Sequence, residues 1–283
     1  MQKLITQLKR LYFLPEQQGR WSIPAGAAST QGVLTDDILT QCLQGQASVA
    51  LDLLSPQSQV RTLVLGFEKS TDWEWVADLY QGILEDLELP APAMAITANR
   101  GHQIWFSLAT PIPVAQGRAF LGALCHRYLA KLPTSHYSLW PTAQDAGPQH
   151  LEAVPAEHGL GGKWSAFITA SMGAMFKEEP GLEMAPNPDR QADMLAPVVS
   201  MSTADLARAM ERLAAAPSPA EVPAAFVPAI AHNDSQSGLD GQYTDPKSFL
   251  LAVMNDPAAA PELRVRAAAA LLPYFEANAS NRS

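Results

Sequence analysis

Four basic side chains and one glutamate are the residues of this chain whose types and spacing could do chemistry. His102 follows the polar turn Asn99-Arg100-Gly101 directly. Arg100 and the backbone N–H groups of such a turn can converge on an anion such as a phosphate, which needs several donors aimed at one spot. Glu68 closes the strand-like stretch that holds the apolar run Leu63-Val64-Leu65, and an acid there, feeding a helix start, gains from the helix dipole. His158 and Lys163 add an imidazole and an ammonium further along. Lys163 sits in Gly161-Gly162-Lys163, which lacks the glycine-lysine-serine/threonine spacing of a phosphate loop. His136, His150 and His158 are too dispersed to define a zinc site, and Cys42 and Cys125 alone make neither a disulfide framework nor a cysteine-based metal site. Taken alone, His102 reads first as a core histidine, because alternation puts it on one strand face with Ile104, Phe106 and Leu108.

The elements that must position these groups follow from periodicity. Met94 to Ala98 and His102 to Leu108 read as the two strands of a hairpin. Val49 to Leu54 and Thr62 to Glu68 are strands, the second with the continuous apolar run of a buried central strand. Helices are expected at the amphipathic start (Leu4, Ile5, Leu8, Leu11, Tyr12), over Asp36 to Leu43, after a Thr71/Glu74 capping box up to Pro90, and from Val114 to Leu132 before Pro133. His136 to Trp140, Leu151 to Val154 and Ser165 to Thr169 are shorter strand candidates, and the small polar stretch Gly19 to Gly32 reads as loop. Strand, helix, hairpin, helix and further strands make an α/β (α+β) pattern, a mixed sheet with packed helices. The expected organisation is an N-terminal segment 1–48, a core 49–200, a helix 201–216 capped by Ser202 with Asp205, a flexible linker 217–245 and a helical hairpin 246–283.

A hydrophobic content of 47% with 17% charged residues fits a globular domain, and the net charge of −9 argues against tight non-specific hold on a nucleic-acid backbone. A local basic groove can coexist with such a surface. No apolar run is long enough to span a bilayer, so no membrane partner is expected. The amphipathic start lacks a signal peptide's apolar stretch, which points to the cytoplasm.

Three segments, in order, resemble the archaeo-eukaryotic primase superfamily, most closely the primase-polymerase-like domains of bacterial mobile elements and TOTE-type conflict systems. They are Val64-Leu65-Gly66-Phe67-Glu68 followed by a helix; Asn99-Arg100-Gly101-His102-Gln103-Ile104-Trp105; and the succession Leu139-Trp140-Pro141-Thr142-Ala143-Gln144, Val154-Pro155-Ala156-Glu157-His158, Gly162-Lys163-Trp164-Ser165-Ala166-Phe167. The resemblance spans roughly Val49 to Leu195. It implies a metal-dependent nucleotidyltransferase site in which carboxylates hold Mg²⁺ or Mn²⁺. Glu68 would serve as catalytic metal ligand, and Arg100, His102, His158 and Lys163 would bind the triphosphate of a nucleotide, with single-stranded or primed nucleic acid as second ligand.

Two departures stand out. Gly66 occupies the place of the first acidic residue, and Ser138 falls near that of the third; neither replaces a carboxylate. Asp72, Asp145 or Glu152 could substitute. Three functions remain open. The favoured one is a catalytically degenerate relative that binds nucleotide or nucleic acid as a replication or defence accessory of a mobile element or phage. The others are an active primase or polymerase, and an interaction module whose protein partner docks on the C-terminal helices, where Leu250, Leu251, Val253 and Met254 make a broad apolar face. Trp105 and Trp140 could stack bases or fill the core.

Overall fold

The computed structural model describes residues 1–215 apart from 24, 26, 99, 143–149 and 159–161. The expected linker 217–245, the helical hairpin 246–283, Gln144 and Asp145 therefore lie outside the described residues. The described elements are α1 (Gln2–Tyr12), β1 (Gln18–Ser22), β2 (Thr30–Val33), α2 (Asp36–Leu43), β3 (Ser48–Asp52), β4 (Gln59–Phe67), α3 (Trp73–Glu85), β5 (Ala93–Ile96), β6 (His102–Pro113), α4 (Val114–Tyr128), β7 (Tyr137–Trp140), β8 (His150–Glu152), β9 (Ala166–Ile168), α5 (Pro188–Leu195) and α6 (Thr203–Ala215).

The α/β class holds, and the strands divide into two sheets. One has the order β2-β1-β3-β8 and the other β7-β4-β6-β5-β9, with every pair of neighbours antiparallel. The stretch expected as loop, Gly19 to Gly32, contributes β1 and β2. Arg20 pairs with Ala50 and Trp21 with Val49, so the segment 1–48 supplies two strands of the first sheet.

Alternation along the central strands builds two cores. Leu63, Leu65 and Phe67 of β4 and Ile104, Phe106 and Leu108 of β6 join Val76, Leu79 and Ile83 of α3, Phe120 and Leu124 of α4 and Leu206 of α6. The opposite face, with Val64, Ala95 and Trp105, joins Val49 and Leu51 of β3, Leu151 of β8 and the apolar stripe of α1. A central strand covered on both faces reads as a continuous apolar run, which is why β4 was legible.

Polar pairing fixes the outer helices. The last carbonyls of α1 have no intrahelical partner. Ser107 Oγ donates to Leu11 O at 2.6 Å and Thr62 Oγ1 to Tyr12 O at 2.8 Å, which ties the end of α1 to β6 and β4. The buried amide of Gln191 on α5 makes both bonds to the backbone of Phe167, at 2.7 and 2.9 Å, and so closes the free edge of β9 as a further strand would. Ser202 caps α6 with Asp205 returning to its backbone N–H, as its spacing predicts. The Thr71/Glu74 box does not form. Ser70–Asp72 is a 3₁₀ turn, and α3 starts at Trp73 without a side-chain cap. Among the described residues no helix is long and apolar enough to cross a membrane.

Candidate functional site

The end of the β4–β7 pair gathers Gly66, Glu68 and Ser138, the positions at which the resemblance leads one to expect acidic residues. Gly66 pairs with Ser138, and the Glu68 N–H donates to His136 O at 2.8 Å. Ser138 Oγ donates to Glu68 Oε1, while Glu68 Oε2 lies 3.5 Å from Arg100 Nη1. The β5–β6 hairpin presses closely enough on this end to make that pairing. A Cβ on Gly101 would stand 2.7 Å from Phe67 O and 2.8 Å from Lys69 C, so only glycine lets the turn carry Arg100 up to Glu68. A side chain on Gly66 is likewise excluded, because its Cβ would sit 2.7 Å from Cζ3 of Trp140. The indole occupies the space an aspartate there would use.

Next to this cluster a cavity of about 360 Å³ opens between β8 and the inner face of the second sheet. Arg100, Gln103 and Trp140 line it from one side, and His150, Glu152 and His158 from the other. Glu152 Oε2 lies 3.1 Å from His158 Nδ1. That hydrogen bond, with the charges of His158 and Arg100 beside it, holds the Glu152 carboxyl below the usual carboxylate range. With Nδ1 engaged, Nε2 of His158 has no partner among the described residues, and neither ring nitrogen of His150 has one there. Burial lowers the His150 value, with Arg20 adding to the effect and Asp52 opposing it. Buried imidazole nitrogens without partners are costly, and a ligand in the cavity would offset that cost.

The expected site residues do not all meet. Arg100 and His158 line the cavity, and Glu68 pairs with Arg100 at its edge. His102 faces the other way. It is 0% exposed; its Nε2–H donates to Gly173 O at 2.9 Å, and its ring lies 4.9 Å from that of Trp73 under α3. Lys163 Nζ pairs with Glu183 at 3.3 Å, and its contact with the site is through the backbone, where His158 N–H donates to Lys163 O. Asp72 accepts from His136 Nδ1 at 2.9 Å, while Lys69 Nζ contacts His136 Nε2 at 3.0 Å, so that acid serves a neighbouring network. Trp105 is a core residue, edge-on to Tyr12 and Phe167, whereas Trp140 lines the cavity. Gln103 and His150 escaped sequence reasoning. The signal for Gln103 was its parity with Trp105 along β6; for His150 there was none, since nothing local says that its short strand faces Arg100.

A single carboxylate, engaged by a guanidinium and a hydroxyl, is a poor donor set for Mg²⁺ or Mn²⁺, which take several oxygen ligands. Among the described residues no group of three histidine, cysteine or acidic side chains is arranged to hold a metal ion.

Comparison with known proteins adds little to this geometry. No family model matches the chain, and no curated protein does. Among solved structures, the AEP domain of the cyanophage S-2L primase-polymerase is similar over 69% of this chain and 97% of its own, at 14% identity and a TM-score of 0.39. The overlap is loose, and the fold rests on the strand pairing described above.

The burial of His102 has a consequence for stability. Desolvation lowers its value from the ordinary 6.5, partly countered by the bond to Gly173. The unfolded chain therefore takes up this proton more readily than the folded one, so the stabilisation is full above 6.5 and is lost as pH falls below it. The stability advantage of wild type over His102→Gln should narrow on acidification by at most about 1.4 kcal/mol per pH unit. Chemical denaturation of both proteins across the range from about pH 7.5 to 5 checks this. An advantage that stays constant would show that the ring titrates alike in both states.

Proposed function

We propose that this chain is a primase-polymerase-like protein that binds a nucleotide, or a nucleic-acid end, in the cavity beside Arg100 and no longer performs metal-dependent synthesis. Its role would be that of an accessory in the replication or defence of a mobile element. One observation carries the reading: Gly66, Glu68 and Ser138 converge at one strand end with a single carboxylate among them, and Arg100 already neutralises it. A pair of cations that must stabilise attacking and leaving oxygens needs more negative charge than this. What remains suits recognition. The Arg100 side chain is 59% exposed, Trp140 offers a ring on which a base can stack, and the cavity falls within the size range of small-molecule sites.

Titration calorimetry with nucleoside triphosphates, run beside a primer-synthesis assay in Mg²⁺ and in Mn²⁺, tests the proposal. Binding without synthesis is expected. Glu68→Gln should bind more tightly by up to about fivefold, because it releases Arg100 from an exposed ion pair worth roughly 0.2–1 kcal/mol. Synthesis by the wild type that disappears in Glu68→Gln would instead establish an active polymerase, and the absence of any nucleotide or DNA binding would end both readings.

A further inference from the structure

We propose that Gln103, rather than His102, is the residue of strand β6 that contacts the bound ligand, and that the Trp105 indole determines which end of its amide does so. The inference rests on the reading that the cavity takes a nucleotide, and it specifies the group recognised: a non-bridging phosphate oxygen, an atom that only accepts hydrogen bonds.

Strand register singles out Gln103. Across the second sheet Ser138 pairs with Gly66, Gly66 with Gln103, Gln103 with Ala95, and Ala95 with Phe167. Cross-strand partners share a face, so this row lies on the side opposite Leu65, Ile104 and His102. Glycine and alanine flank Gln103 within the row, which leaves its side chain room to reach the cavity that it lines with Arg100.

Its polarity follows from donor chemistry. Gln103 Oε1 accepts from Trp105 Nε1–H at 2.9 Å, and both side chains are buried. An indole N–H can only donate, so the amide must turn its oxygen toward it and its NH₂ away. The reverse orientation would set two donors face to face. Trp105 cannot swing aside, since Tyr12 and Phe167 hold it edge-on, with ring centroids at 5.3 and 5.8 Å. The neighbouring Thr97 hydroxyl spends its proton on Gly101 O at 3.1 Å, while the amide NH₂ and the Arg100 guanidinium are donors on this wall. A donor whose direction the indole fixes, beside a cation, matches phosphate oxygens and rejects another donor.

Calorimetric titration of the full chain with inorganic tripolyphosphate, with the four nucleoside triphosphates and with the corresponding nucleosides tests this. Gln103→Glu keeps an oxygen for the indole but turns a second one on the ligand, and triphosphate affinity should fall by at least about tenfold. Gln103→Met, which removes the donor without adding charge, should lose about three- to tenfold, and Trp105→Phe, which frees the amide to flip, about threefold. Nucleoside affinity should be unchanged in all three, and His102→Gln should bind triphosphate as the wild type does. Thermal midpoints confirm which variants are folded, and Gln103→Met carries the test if the glutamate variant is not. Wild-type binding that persists unchanged in both Gln103 variants would overturn this assignment and leave the nucleotide reading standing. Loss of binding in folded His102→Gln would return the role to the histidine. A wild type that binds none of these probes would overturn the nucleotide reading and this inference together.

Discussion

Replacing Arg100 by glutamate is expected to cut nucleotide triphosphate affinity by about a hundredfold or more. Among the described residues Arg100 is the lysine or arginine that lines the cavity; Lys163 lies outside the lining, and His102 is sealed on the other face. Losing hydrogen bonds to a charged group costs roughly 1.5–3 kcal/mol. Reversing the sign adds repulsion from a new carboxylate placed beside Glu68 and within reach of Glu152, so a total near 3 kcal/mol, or about two decades, follows. Titration of Arg100→Glu at fixed ionic strength measures it, with Arg100→Ala separating lost attraction from added repulsion. Affinity within a few fold of wild type would show that the ligand sits elsewhere.

The second large effect is structural. Gly173→Ala would place a Cβ 1.9 Å from Cζ3 and 2.0 Å from Cη2 of Trp73, against the rigid part of a large ring. Either the indole must leave its seat on α3 or the 3₁₀ segment Ala170–Phe176 must retreat, and the second movement breaks the bond from His102 to Gly173 O. Overpacking costs about 1–3 kcal/mol and an orphaned buried donor a similar amount, so a loss of about 3 kcal/mol is expected. For a domain of this size that lowers the melting temperature by roughly 6–12 °C. Calorimetric melting of Gly173→Ala checks the figure, and a midpoint within 2 °C of wild type, roughly half a kilocalorie, would mean that Trp73 is not packed on this glycine. Nucleotide affinity at low temperature should survive in the same variant, because neither Trp73 nor Gly173 borders the cavity.

The two expectations separate what local spacing revealed from what it could not. The β4 strand, the β5–β6 hairpin, α4 and the α6 cap were legible because apolar period, turn residues and capping pairs are properties of neighbours in sequence. Strands β1 and β2 were missed because Gly19 to Gly32 carries turn-like composition. Its strands exist because β1 pairs with β3 and β2 with β1, and Gly19 is pressed so close to β3 that a Cβ would meet Ala50 O at 2.5 Å. Likewise Asp72, a spare carboxylate by sequence, was claimed by His136, which approaches it from 64 residues away.

For the site, sequence by itself determined the parity of β6: His102 falls with Ile104 and Phe106, Gln103 with Trp105. It also determined that Gly66 and Ser138 bring no charge to the strand end where Glu68 stands. Only the tertiary structure decided which parity is functional. Helices α3, α4 and α6 cover one face, where Trp73 and the 3₁₀ segment at Gly173 enclose His102, while the other face borders a cavity beside Gln103, Arg100 and His158. Alternation is set by backbone geometry within one strand, whereas the choice of face is set by what packs on each side, and the segments that do so are distant in the chain.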